Sequence, residues 1–110
     1  MKKLIALAIA AGISSAAFAA PETYTLEGTH SMPRFEYNHL GYSIQLSRFD
    51  KATGTITLDR AAKTGAVDIT IDTTSVDSGY PLFNQHLQAE DYFSTAQFPT
   101  ATYKSTKVNF

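Results

Sequence analysis

From Tyr24 onward, apolar and polar residues alternate with a period of two, the spacing of strands that bury one face. Tyr24 and Leu26 alternate with threonines, and Pro33, Phe35 and Tyr37 with Arg34 and Glu36. Tyr42, Ile44 and Leu46 interleave with Ser43, Gln45 and Ser47. Ile56 and Leu58 sit among Thr55, Thr57 and Asp59, and Val67, Ile69 and Ile71 among Asp68, Thr70 and Asp72. Turn signals at His39-Leu40-Gly41, from Asp50 to Gly54 and from Arg60 to Gly65 separate these runs. The pattern predicts a meander of short antiparallel strands. Pro33 cannot donate to a ladder, so it marks an edge, a strand start or a bulge.

Between Tyr80 and Glu90 the period changes. Phe83 and Leu87 are four apart and Pro81 suits a first turn, which predicts one short helix. An aromatic-rich loop follows with Asp91-Tyr92-Phe93 and Phe98-Pro99. The strand pattern resumes at Ala101, Tyr103 and Ser105 and shifts phase toward Val108 and Phe110. About six strands are expected, whereas a closed barrel with a filled or ligand-holding interior takes about eight. Two readings follow: a barrel whose closing C-terminal strands lie outside this sequence, or a small open sheet that dimerises. Unpaired edges would leave residues 20–110 prone to aggregation when expressed alone.

The first residues carry a different message. Met1-Lys2-Lys3, an apolar run from Leu4 to Phe18 and the small-x-small step Ala17-Phe18-Ala19 form a secretory signal peptide over residues 1–19. The run falls short of the ~20 residues of a membrane-spanning helix. The mature chain, residues 20–110, is one domain, and export to the periplasm is the expectation. Without Lys2 and Lys3, seven basic residues stand against ten acidic ones, a net charge of about −3. A mildly acidic chain with no basic cluster suits neither nucleic acid nor anionic lipid surfaces. There is no cysteine, so an exported fold must be held by its core and not by disulfides.

Candidate chemistry is sparse. His30, His39 and His86 lie in different elements without ligand-pair spacing, which fits turn or surface roles better than a metal centre. Asp68, Asp72 and Asp77 lack calcium-loop spacing, and no G-x-S-x-G elbow is present. No pair among Glu27, Glu36 and Glu90 is singled out for acid–base work. The sequence therefore points away from an enzyme and calls for no cofactor. The apolar faces are then either a packed core or the lining of an apolar ligand site, and seven Phe and six Tyr make the second reading substantial.

Several motifs in order resemble a known family. They are Tyr24-Thr25-Leu26 with Thr29-His30-Ser31, then Phe35 with His39-Leu40-Gly41-Tyr42-Ser43, and Phe49 with Gly54-Thr55-Ile56-Thr57-Leu58-Asp59. Asp72-Thr73-Thr74-Ser75-Val76-Asp77, His86-Leu87, Asp91-Tyr92-Phe93 and Phe98-Pro99-Thr100-Ala101-Thr102-Tyr103 complete the series. Together they resemble the N-terminal part of the YceI-like family, bacterial polyisoprenoid-binding proteins with a lipocalin-like barrel. The resemblance implies an antiparallel barrel around a long isoprenoid or fatty-chain lipid, without covalent chemistry. On that reading Phe35, Tyr37, Ile44, Leu46, Ile56, Leu58, Val67, Ile69 and Ile71 face inward along the tail, and Phe83, Leu87 and Phe93 close or line one end. The rival is a structural or stress-related envelope protein whose barrel is filled by side chains. Three features depart from the family pattern: Pro33, where an aliphatic residue is usual; Ser47, often Gly; and the pair Phe83-Asn84, where Arg-Asp is common.

Overall fold

A computed structural model of the chain describes residues 19–110, so the leader assigned to residues 1–19 lies outside the described residues except for Ala19. The alternating runs become strands β1 (Glu22–Thr25), β2 (Arg34–His39), β3 (Ser43–Phe49), β4 (Ala52–Asp59), β5 (Thr64–Asp72), β6 (Val76–Asp77) and β7 (Thr100–Lys104). One helix, α1 (Pro81–Gln88), follows β6, and a 3-10 turn spans Thr73–Ser75. The strands form two antiparallel sheets, a larger one in the order β1-β4-β5-β7 and a smaller one in the order β2-β3-β6. The fold is mainly β with one helix, as the pattern predicts. No closed barrel forms among the described residues, and the two sheets join through bent strands.

The segment from Asp50 to Gly54 is not a reversing turn. The chain runs on from β3 through Asp50-Lys51 into β4 and so passes from one sheet to the other. The ladder survives the bend, because the Asp50 N–H donates to the Ser75 carbonyl and the Asp72 N–H to the Lys51 carbonyl, both at 3.0 Å. β5 makes the same passage into β6 through the turn at Thr73–Ser75. Its D-T-T-S sequence supplies the local bonds that compete with a straight ladder. Asp72 Oδ1 accepts from the Thr74 N–H at 2.9 Å and its hydroxyl at 2.6 Å, and the Ser75 hydroxyl donates to the Asp72 carbonyl at 2.6 Å.

The bend also switches which side chains point inward. Ser47 and Phe49 are buried on β3, whereas Ala52 is buried on β4, so the inward parity slips by one residue across Asp50-Lys51. A slip of this kind has the effect of a bulge, re-aiming every later side chain. The β2–β3 hairpin is joined by Leu40-Gly41-Tyr42, in which Leu40 and Gly41 have φ of 54° and 79° and the Tyr42 N–H donates to the His39 carbonyl at 2.9 Å. The Asn38 side chain holds it by accepting from the Gly41 N–H at 2.6 Å. The core is Phe49, Val76 and Leu87, with Phe35, Ile71, Phe83 and Phe93 packed against it. The opposite face of the larger sheet carries Thr23, Thr25, Thr53, Thr55, Thr57, Thr70 and Thr102.

Two stability predictions arise here. The Ser47 hydroxyl is buried on the face of Phe35 without a hydrogen-bond partner among the described residues. An unsatisfied buried hydroxyl costs about 1 kcal/mol or more, so Ser47→Ala should raise stability by about 1 kcal/mol in a urea titration. A loss of similar size would show that the hydroxyl is satisfied in solution.

The second concerns acid. The Thr74 hydroxyl foremost holds the Asp72 carboxyl below its usual value, and the Gly79 N–H does the same for Asp77. The Thr29 hydroxyl is the chief cause that brings Glu27 down to about 2. Groups depressed on folding stabilise above the ordinary carboxylate range near ~4 and lose that contribution as pH falls through their folded values. The urea midpoint should therefore be level from neutral pH down to about 5 and decline below ~4. Asp72→Asn should flatten that decline. An acid limb unchanged by the substitution would place the titration elsewhere.

Candidate functional site

Helix α1 lies beside the smaller sheet, and its sequence decides which face it presents. Pro81 occupies the first turn, where its missing N–H costs nothing. Phe83 and Leu87, one turn apart, project to the same side and meet the sheet. Asn84 anchors the helix without charge. Its side-chain carbonyl accepts from the Ser78 N–H at 2.7 Å and the Ser78 hydroxyl at 2.6 Å, and its amide donates to Asp77 Oδ1 at 3.3 Å. So at the two positions that depart from the family pattern, Phe83 is an aromatic wall and Asn84 a neutral clamp.

The loop after α1 is pinned at both ends. The Phe93 N–H donates to the Leu87 carbonyl at 3.0 Å, the Thr95 N–H to Gln88 at 3.1 Å, and the Thr73 N–H to Pro99 at 3.0 Å. This turns Phe93 back between the rings of β2 and β3. Its centroid lies 5.3 Å from Phe35 and 5.4 Å from Phe49, both edge-on, while Phe35 and Phe49 are 5.5 Å apart. Edge-to-face contacts at these distances add to the stabilisation from burial.

Above this cluster opens a cleft of about 420 Å³ walled by Phe35 and Tyr37 of β2, Phe83 and Leu87 of α1, and Tyr92 and Phe93 of the loop. Every wall residue is apolar or aromatic, and Tyr37 faces Phe83 across 6.3 Å. The charges of the smaller sheet lie on its other side: Arg34, Glu36, Arg48 and Asp77 share a face by register. There Arg48 Nε pairs with Asp50 Oδ1 at 2.8 Å and its guanidinium approaches Asp77 at 3.6 Å. Such a cleft has the size and lining of an apolar ligand site and, among the described residues, brings no nucleophile and base together.

The expected lining residues fall into three groups. Phe35, Tyr37, Phe83, Leu87 and Phe93 meet at the cleft. Ile56, Leu58, Val67, Ile69 and Ile71 share one face of the larger sheet by register, and Ile71 reaches the aromatic cluster. Ile44 and Leu46 correct the expectation. They point to the opposite side of the smaller sheet from Phe35 and Tyr37 and are 57% and 60% exposed. The reason is register: Phe35 pairs with Ser47 and Tyr37 with Gln45, so the polar members of β3 share the aromatic face. Phe49 and Tyr92 were not expected at the site. Phe49 has the parity of Ser47, and Tyr92 lies in the aromatic loop next to Phe93.

The histidines sit in turns or at the surface. His30 Nδ1 lies 2.8 Å from Glu27 Oε2, the His39 carbonyl closes the hairpin by accepting from Tyr42, and His86 is in the exposed last turn of α1. Among the described residues no helix is long and apolar enough to cross a membrane.

Comparison with known proteins adds three findings. Residues 24–110 match the family described as the YceI-like domain. A UPF0312 protein of Shewanella sp. (strain W3-18-1) is 38% identical over 97 residues, covering 87% of this chain and 51% of that protein. Protein YceI of Escherichia coli O17:K52:H18 (strain UMN026) is 37% identical over 110 residues, covering 97% of this chain and 58% of that protein. The chain thus spans about half the length of these curated relatives. Among solved structures, a polyisoprenoid binding domain from Saccharophagus degradans implicated in plant cell wall breakdown superposes with a TM-score of 0.57. It is 27% identical over 73% of this chain and 42% of its own.

Proposed function

The chain belongs to the YceI-like family, and from that premise we propose that it binds a long-chain lipid, of the isoprenoid or fatty-chain class, without transforming it. The observation that carries the reading is the open cleft between β2, α1 and the loop, lined by aromatic and aliphatic groups. The polyisoprenoid binding named for the Saccharophagus degradans domain supports the ligand class. The tail would lie among Phe35, Tyr37, Phe83, Leu87 and Phe93 and extend onto Ile71. Burying apolar surface contributes roughly 25 cal/mol per Å², so a long tail binds without a charged anchor. The leader expected at residues 1–19 supports work in the periplasm.

A fluorescent apolar probe such as N-phenyl-1-naphthylamine tests the proposal. It should bind the chain saturably, and Phe83→Asp should weaken it at least about tenfold, because a carboxylate in an apolar wall must be desolvated when the probe enters. Leu46→Thr, on the outer face, should leave the affinity unaltered. Probe binding that ignores Phe83→Asp would contradict the assignment of the cleft.

A further inference from the structure

The inward side of the two sheets changes character along its length. Beyond the cleft, toward the hairpin tip, Tyr37, His39, Gln45 and Phe83 line a second recess of about 290 Å³. Tyr37 and Phe83 are walls of both spaces, so the recess adjoins the cleft. Register places Tyr37 opposite Gln45 and His39 opposite Ser43, on the same face as Phe35. The Gln45 amide spends one N–H on the Ser43 hydroxyl at 2.9 Å. Its carbonyl, the Tyr37 hydroxyl and the His39 ring have no partner among the described residues. In the other direction the cluster leads to Ile71 and then along β5 to Ile69 and Val67.

The far end of that aliphatic track is also polar: a recess of about 290 Å³ there is lined by Lys63, Thr64, Gly65, Thr106, Lys107 and Val108 and shares no wall with the cleft, and the groups around Arg60 are committed to one another. Arg60 Nη1 donates to Glu22 Oε2 at 2.8 Å and to the Tyr24 hydroxyl at 3.2 Å. Of the two recesses, the one at the hairpin end adjoins the cleft and carries hydrogen-bonding groups without protein partners among the described residues. That end carries no Lys, Arg, Asp or Glu on the inward face of the smaller sheet, since Arg34, Glu36, Arg48 and Asp77 all lie on the reverse side. An ionic head placed there would meet no Lys, Arg, Asp or Glu on that face, whereas a hydroxyl or carbonyl needs only the hydrogen bonds on offer.

We infer that the cleft takes its lipid in one orientation. An uncharged hydrogen-bonding head, of the alcohol or carbonyl class, is held among Tyr37, His39 and Gln45, and the chain runs past Phe93 toward Ile71. The inference rests on the reading of the cleft as a lipid site and adds to it a direction and a class of head.

The test uses the full chain and two photoreactive long-chain alcohols, one with a diazirine beside the hydroxyl and one with it at the far end of the tail. Peptide mapping should place the head-side label on residues 37–45 and the tail-end label on residues 67–71, both displaced by excess unlabelled hexadecanol. In competition against N-phenyl-1-naphthylamine, hexadecanol should outcompete hexadecyl phosphate at equal concentration. Gln45→Leu should weaken hexadecanol roughly fivefold, the value of one hydrogen bond. Reversed labelling, or head-side label on Glu22, Tyr24 or Arg60, would overturn the orientation while leaving the cleft as the lipid site. Equal or stronger competition by the phosphate would overturn the uncharged head. Labelling scattered over the surface and undiminished by hexadecanol would overturn the lipid site itself, and this inference with it.

Discussion

Replacing Gly54 by alanine should cost about 3 kcal/mol of stability or more, the upper range for single substitutions. A Cβ at this position would stand 2.2 Å from the Asp68 carbonyl oxygen, 2.8 Å from Ile69 Cδ1 and 2.9 Å from Ile69 Cα. Two of those three atoms are backbone, so no rotamer change relieves the clash. Nor can β4 move away, because it is paired with β1 on one side and with β5 along its whole length on the other. The φ of +157° adds strain for any L side chain. The glycine looks like a turn residue in the sequence, yet it sits inside a central strand where β5 comes too close for any side chain. Chemical denaturation should show the midpoint falling with an unaltered slope. A loss below about 1 kcal/mol would mean that the β4–β5 approach is looser than described.

Phe49→Ala should have the next largest effect, about 3–5 kcal/mol, the usual cost of deleting a buried aromatic ring. Phe49 is 8% exposed and touches both Phe35 and Phe93, so it ties β2, β3 and the loop after α1 into one cluster. Removing it also takes away the floor on which Phe35 and Phe93 are held, and the affinity for an apolar probe should fall with stability. Leu46→Ala is the matched control. It alters the same strand only three residues away, but on the solvent side, where substitutions are usually worth within about 0.5 kcal/mol. If Leu46→Ala proved the more damaging of the two, the inward parity of β3 would be reversed.

How much of this was legible in the sequence depends on which signals are local. The helix was: Pro81 and the spacing of Phe83 and Leu87 place it over Tyr80–Glu90, and it spans Pro81–Gln88. The strands were also legible as runs, because period two is a property of each run alone. The faces were not. In the run that becomes β3 the alternate set Tyr42, Ile44 and Leu46, whose first member falls in the turn, is the more apolar, and pattern alone sends it inward. The connection is three residues long, Leu40-Gly41-Tyr42, and the extra residue Tyr42 fixes a register that sends Ser43, Gln45, Ser47 and Phe49 inward instead. This choice depends on a partner strand, which no single run encodes. The bend at Asp50-Lys51 was hidden for a similar reason. Asp50 and Gly54 carry turn chemistry, but the ladder bonds from Asp50 to Ser75 and from Asp72 to Lys51 keep the strand going.

The site was half legible for the same physical reason. Of the expected lining residues, Phe83, Leu87 and Phe93 reach the cleft from the helix and loop, which do not depend on sheet parity, and Phe35 and Tyr37 reach it because the apolar set of β2 is its inward set. The role of Asn84 could be read only with Ser78 and Asp77 in place around it. What had looked like a missing charged pair is a neutral clamp that frees Phe83 to serve as a wall.

The central claim is that the cleft holds a lipid. Its most direct test is native mass spectrometry of the full-length protein purified from its own host without detergent. The account predicts a complex heavier than the polypeptide by the mass of one long-chain lipid, released on unfolding and identified in the organic extract. A well-folded protein of polypeptide mass alone, which also fails to take up added long-chain alcohol, would contradict it.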